Sequence, residues 1–131
     1  MEYIFISSLQ NSDLFPENTW HDFHVELPKE LVFKSKCECA LLFFDVNPLF
    51  NLEVNIFCDL LEEHCFEDSL APFLSPVFEV PLRVENPIFV PLRQTTIKRI
   101  RISIKKAFTH STPTESIQQS NLLLLVREAA Y

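Results

Sequence analysis

Cysteine, histidine and carboxylate side chains are the groups in this chain that could ligate a metal or move a proton. Cys37-x-Cys39 sends two thiols to one side of an extended strand, and Cys58, His64 and Cys65 follow downstream. These are the residue types of a structural zinc centre. The spacing does not complete one, because no C-x-x-C pair occurs and Cys58 alternates with apolar residues. The thiols therefore read as buried or half-buried side chains. His21 and His24 with Asp22 between them could form a proton relay, yet along a strand the two histidines project to opposite faces. Glu62, Glu63, Glu67 and Asp68 could hold a divalent ion, and read more simply as an acidic solvated face. Ser7, Ser8 and Ser12 have no evident base. The expectation is no catalytic residue, no cofactor-binding residue, no metal and no cofactor, in a chain that is not an enzyme.

The complete absence of glycine narrows the chemistry further. An average chain of this length carries about nine. A phosphate-cradling loop, a dinucleotide fingerprint, a nucleophile elbow and an EF-hand loop all need glycine where the backbone turns with positive φ or approaches a ligand closely. None of them is present in standard form.

Lys98, Arg99, Arg101, Lys105 and Lys106 form a basic ridge in an otherwise acidic chain of net charge -7. Three readings compete for it: a solvated outer face, contact with an acidic neighbouring subunit, or contact with a nucleic-acid phosphate backbone. The overall charge argues against bulk binding to nucleic acid or to an anionic membrane. No aromatic residue alternates with the basic ones, so a stacking platform for single strands is not supported.

The elements that must position these residues are short strands. Thr96 to Lys105 alternates Ile100, Ile102 and Ile104 with Arg99, Arg101, Ser103 and Lys105, the pattern of a half-buried strand with a basic outer face. Asp22 to Leu27 turns Phe23, Val25 and Leu27 inward, and Glu53 to Asp59 separates Val54, Ile56 and Cys58 from Asn55, Phe57 and Asp59. Further β-prone stretches are Glu2 to Ile6, Glu30 to Phe33, Cys39 to Val46, Val77 to Leu82, Ile88 to Leu92 and Asn121 to Arg127. Pro28, Pro48, Pro76, Pro87 and Pro113 separate runs, while Pro81 and Pro91 fall inside them and predict strand ends or edges. Leu60 to Leu74 is the one candidate helix, with a single turn or structured loop as the equal alternative. Thr109 to Gln119 is the one plausible flexible stretch.

About eight short antiparallel strands in a single domain spanning residues 1–131 predict an all-β fold, a single jelly-roll β-sandwich. Without glycine, left-handed turn positions fall to Asn11, Asn18, Asn47, Asn51, Asp68 and Asn86, and long connections should outnumber tight hairpins. Leu122, Leu123, Leu124, Leu125 and Val126 make a strand that is apolar on both faces. One face fills the core and the other needs a cover, which another subunit could supply. With thirteen Phe in so small a domain, the surplus favours obligate assembly. No run reaches the roughly 18 apolar residues of a membrane span, and residues 1–10 lack signal-peptide zones. The chain is expected to fold inside a cell, with its cysteines as thiols.

Phe15-Pro16-Glu17-Asn18-Thr19 followed by Asp22-Phe23-His24-Val25-Glu26-Leu27 resembles a stretch of the form FP-x-N-T-x-x-x-F-x-V-x-L. It opens the penton-type minor capsid proteins of polinton-like, adintovirus-like and adomavirus-like DNA viruses. Cys39-Ala40-Leu41 stands where that family has W-E-V-A-L, and Cys58-Asp59-Leu60-Leu61 is similar to its strand ending in D-L. Ala71 to Val77 resembles its P-L-L-R-x-V piece, and Phe89-Val90-Pro91-Leu92 with Ile97 to Ile104 resembles its Y-x-P-V/L … I-x-x-I-x-I-x-I region. Leu122 to Arg127 is similar to its closing strand. Family turn glycines and the Trp of the third strand are absent.

The resemblance implies a single jelly roll that forms homopentamers at the five-fold vertices of a virion. Its partners would be the double-jelly-roll major capsid protein and a fibre or spike, with no membrane and no primary genome contact. Assembly would take place in the nucleus of the infected host cell. The competing expectation is a β-sandwich interaction module, outside any capsid, that binds a protein ligand through its loops.

Overall fold

Alternation of apolar and polar residues becomes nine strands and no helix among the described residues of the computed structural model, which describes residues 1–61, 74–109 and 111–129. They are β1 (Glu2–Ser7), β2 (Asp22–Val32), β3 (Cys37–Asn47), β4 (Val54–Cys58), β5 (Ser75–Val77), β6 (Leu82–Arg83), β7 (Val90–Pro91), β8 (Thr96–Lys106) and β9 (Gln119–Glu128). One antiparallel sheet runs β1-β9-β3-β6 with β7 also on β3, and the other runs β2-β8-β4-β5. The fold is an all-β sandwich of two antiparallel sheets.

The pairing has a simple logic. β1 pairs with β9, β2 with β8, β3 with both β6 and β7, and β4 with β5, as in one long antiparallel ribbon bent at its middle. The β3·β9 and β4·β8 pairs then arise where the ribbon rolls on itself. Strands consecutive in sequence mostly fall in different sheets, so the connections cross the sandwich and tight hairpins are scarce. That is the outcome expected of a chain without glycine.

Between the sheets, Ile6, Phe44, Leu122 and Leu124 from one face meet Phe23, Val25, Ile56, Ile100, Ile102 and Ile104 from the other, none more than 1% exposed. Burying each such side chain contributes about 1.5–3 kcal/mol. Ser120, also fully buried, joins three segments: its N–H donates to Ser8 Oγ at 3.0 Å and its hydroxyl donates to the Trp20 carbonyl at 2.7 Å.

Several expectations need correction. Pro28 does not separate two strands, since β2 continues through it, but pairing with β8 is lost between Glu26 and Leu31. The unpaired stretch removes the need for a proline N–H, and Lys98 Nζ donates to the Leu27 carbonyl there at 2.8 Å. The run Val77 to Leu82 is not one strand. It breaks over Phe78 to Pro81, between the end of β5 and the start of β6, which lie in different sheets. Left-handed backbone occurs, among the described residues, at Phe108 (φ 70°) and not at the asparagines. The candidate helix lies outside the described residues except for Leu60, Leu61 and Leu74; Leu61 bridges to Leu92. Asp68 also lies outside them.

Candidate functional site

The outer face of β8 carries the basic ridge, and its opposite strand carries carboxylates in register. Glu26 faces Arg99, and Asp22 lies two residues from His24, which faces Arg101, so each arginine finds an internal partner. Arg99 Nε donates to Glu26 Oε1 at 2.9 Å. Arg101 grips Asp22 with two hydrogen bonds of 3.0 and 2.9 Å, and its backbone N–H donates to Asp59 Oδ1 at 2.9 Å. The Arg101 hydrogen bonds hold the Asp22 carboxyl below its ordinary value, against the opposing effect of burial. Lys98 is occupied by the Leu27 carbonyl, and Lys105 sits 5.8 Å from the Phe57 ring centroid. Lys106 is half-buried, with its backbone N–H bonded to the Ser111 carbonyl. Arg99 and Arg101 are thus paired with carboxylates within the chain, while the three lysines keep their charge without a carboxylate partner among these contacts.

Beside the ridge, residues 14–19 fold back over β2 and enclose a cleft of about 540 Å³ lined by His21, Asp22, His24 and Arg101 together with the loop. Both histidines line this cleft; His21 immediately precedes β2, and its ring lies edge-on to Trp20. Phe15 stacks on the His24 ring at 5.3 Å, and the Arg99 guanidinium carbon lies 5.8 Å from the Phe15 centroid. Asp22 is already bound on both oxygens, so it is poorly placed to accept a proton from a substrate.

The loop has a structural task. The Ile104 N–H donates to the His21 carbonyl at 2.7 Å, so along this ladder Asp22, His24 and Glu26 turn their backbone groups to the free edge of β2. Asn18 Oδ1 accepts from the His24 N–H and Asn18 Nδ2 donates to the His24 carbonyl, both at 2.9 Å. Thr19 bonds the Asp22 N–H through its hydroxyl and the Asp22 carbonyl through its own N–H. Asn11 Oδ1 accepts from the Glu26 N–H at 2.9 Å. Side-chain amides and a hydroxyl therefore close a sheet edge that another strand would otherwise extend. This accounts for the Asn and Thr of the Phe15 to Thr19 motif in physical terms.

The cysteines give no reactive centre among the described residues. Cys37, Cys39 and Cys58 are free and buried. Burial pushes the Cys39 thiol well up and the Cys58 thiol up to about 12, so both stay protonated and poorly nucleophilic. Among the described residues no group of three or more His, Cys, Asp and Glu side chains is placed to share a metal ion. His64, Cys65, Glu62, Glu63, Glu67 and Asp68 lie outside the described residues.

Apolar surface remains in two places. On β9, Leu122, Leu124 and Val126 enter the core, whereas Leu123 and Leu125 face outward. β9 is a central strand, so its outward leucines are flanked by Tyr3, Phe5, Ala40 and Phe43 from β1 and β3 and are half-buried or buried. The exposed part of this face shifts to the edge strand, where Tyr3 is 63% and Phe5 58% exposed. The alternation in Glu2 to Ile6 carried that signal: Ile4 and Ile6 point in, and the aromatic residues between them point out.

The second place is one end of the sandwich. Asn47 lies opposite Gln119, and Val54 lies opposite both Val77 and Lys106, so the connections after β1, β3, β5 and β8 leave from this end. They carry Leu9, Leu49, Phe50, Phe78 and Phe108, each between 47% and 83% exposed. The Phe surplus pointed to such a surface, but strand periodicity gave no position for residues in loops. Comparison with family models, curated proteins and solved structures finds no match.

Proposed function

We propose that the chain is a structural viral capsid protein, a penton subunit that closes into rings of five at icosahedral vertices and docks to the major capsid protein. The observation that carries this reading is the apolar loop end, where large exposed side chains from four separate connections gather on one small domain. Large exposed apolar side chains concentrated at one end of a small domain are the kind of surface that marks an interaction site. The ribbon-like pairing order supports a single jelly roll, the eight-strand sandwich made by rolling one antiparallel ribbon, with β6 and β7 as two pieces of one strand. The resemblance of residues 15–27, and of the later strands, to penton-type minor capsid proteins supports the vertex role.

The mechanism is geometric. A head-to-tail contact that repeats with a closing rotation makes a ring, and no chemistry is needed. The shell of double jelly rolls would receive the ring, and a fibre or spike would stand on its outer surface. The other reading of the same loop end is a monomeric interaction module. Replacing both Phe50 and Phe78 by Asp separates them: the ring reading expects five-membered assemblies to be lost with the far-ultraviolet circular dichroism unchanged. Rings of five that survive the double replacement would contradict it.

A further inference from the structure

The two sheets treat their edges differently. β2 is closed by Asn11, Asn18 and Thr19. β5 carries Pro76, and β7 is a two-residue strand carrying Pro91. Proline, short length and capping side chains are the ordinary means of blunting an edge. β1 has none of them: its sequence is Glu-Tyr-Ile-Phe-Ile-Ser, all β-prone, and it pairs with β9 on one side alone.

Which backbone groups are open follows from the ladder. The Ser8 N–H donates to the Ser120 carbonyl at 3.0 Å, and the register of β1 on β9 continues without a break. In an antiparallel pair, alternate residues bond across, so Ile6, Ile4 and Glu2 bond β9 while Tyr3, Phe5 and Ser7 turn outward. Ser7 is closed by its turn, since its N–H meets Gln10 Oε1 and its carbonyl accepts from the Gln10 N–H. Tyr3 and Phe5 are left with N–H and carbonyl groups that no described residue reaches.

We infer that β1 is a self-association site, at which a second copy of this chain adds its own β1 antiparallel across a two-fold axis through Ile4. In that register Tyr3 faces Phe5 of the other copy and Phe5 faces its Tyr3, so all the open groups of both edges are satisfied by four hydrogen bonds. The aromatic side chains form cross-strand pairs on the outer face, continuous with Leu123 and Leu125. Glu2 falls opposite Ile6, so no like charges meet. A second copy is the occupant that fits, because in this register the same β1 residues meet every open group, pair aromatic with aromatic and keep Glu2 from another charge. The other edges of a neighbouring copy are capped, carry proline or, in β6, are only two residues long. The contact is independent of the ring: an isologous pair closes at two copies and leaves the loop end unused. It covers the bare edge of the free subunit.

Amide hydrogen exchange measured by NMR over a concentration series tests the inference on the full chain. The Tyr3 and Phe5 amides should slow by about tenfold once nine-tenths of the chains are paired, while the Ile4 and Ile6 amides stay protected throughout. Phe5→Pro removes an outward N–H without touching the β9 ladder, and should abolish both the concentration dependence and the two-copy species in sedimentation. Should Phe5→Pro fail to fold, the Tyr3→Lys/Phe5→Lys variant keeps the backbone and should have the same effect. Tyr3 and Phe5 amides that exchange freely at every concentration would overturn the inference. So would protection that appears only on adding a different protein, or pairing that persists in either variant. Rings surviving in Phe5→Pro would leave the vertex reading intact.

Discussion

Asn18 shows how much one side chain can contribute without touching the core. Its amide takes the place of a neighbouring strand, pairing with the His24 N–H and carbonyl at 2.9 Å each. Asn18→Ala opens both groups at the β2 edge to water, and the expected loss is about 0.5–1.5 kcal/mol in urea unfolding. Phe108 is the opposite case. It holds φ at 70° while 83% exposed, so its ring contributes little packing to offset a conformation that disfavours a bulky residue. Phe108→Asn should raise stability by about 0.5–1 kcal/mol, seen as a higher urea midpoint at unchanged slope. Asp22 sets a pH dependence. Its folded carboxyl titrates below the ordinary 3.8 because of Arg101, so its stabilisation is fully present above that value and is lost as pH falls through the folded value. Asp22→Asn should flatten the acid limb of the stability profile below about pH 4, and an unchanged limb would show that Arg101 does not stabilise the folded carboxylate. At this scale the sequence singled out Asn11 and Asn18 as left-handed turn positions, and they are not left-handed. Their role as edge caps depends on which β2 groups face away from β8, a consequence of pairing that no local pattern contains.

At the scale of elements, two-residue periodicity was informative wherever a strand has one solvated face. The alternation of Ile100, Ile102 and Ile104 located β8, and that of Phe23 and Val25 located the first half of β2. It was less informative where pairing lapses, as at Pro28, or where the chain changes sheet within one apolar run, as at Pro81. The apolar strand Leu122 to Val126 was legible as two-faced, yet its partners were not. The outer face is covered largely by its neighbours, and the exposed apolar area belongs to β1. Truncations should separate the faces: Leu124→Ala, at 1% exposure, should cost about 2–5 kcal/mol, while the half-buried Leu123→Ala should cost distinctly less. Similar losses from both would place Leu123 in a second buried cluster.

Across the whole molecule, a chain without glycine builds a sandwich by crossing between sheets rather than by hairpin turns, and the crossings place four loops together at one end. That end, with its leucines and phenylalanines, is where the proposed ring would close. The β1 edge supplies a separate, two-fold contact. Native mass spectrometry of the full chain at high concentration tests the central claim most directly. The account predicts five copies of the 15.3 kDa chain, or ten where two rings pair through β1. A population made up of single chains and pairs, with no species in multiples of five, would contradict it.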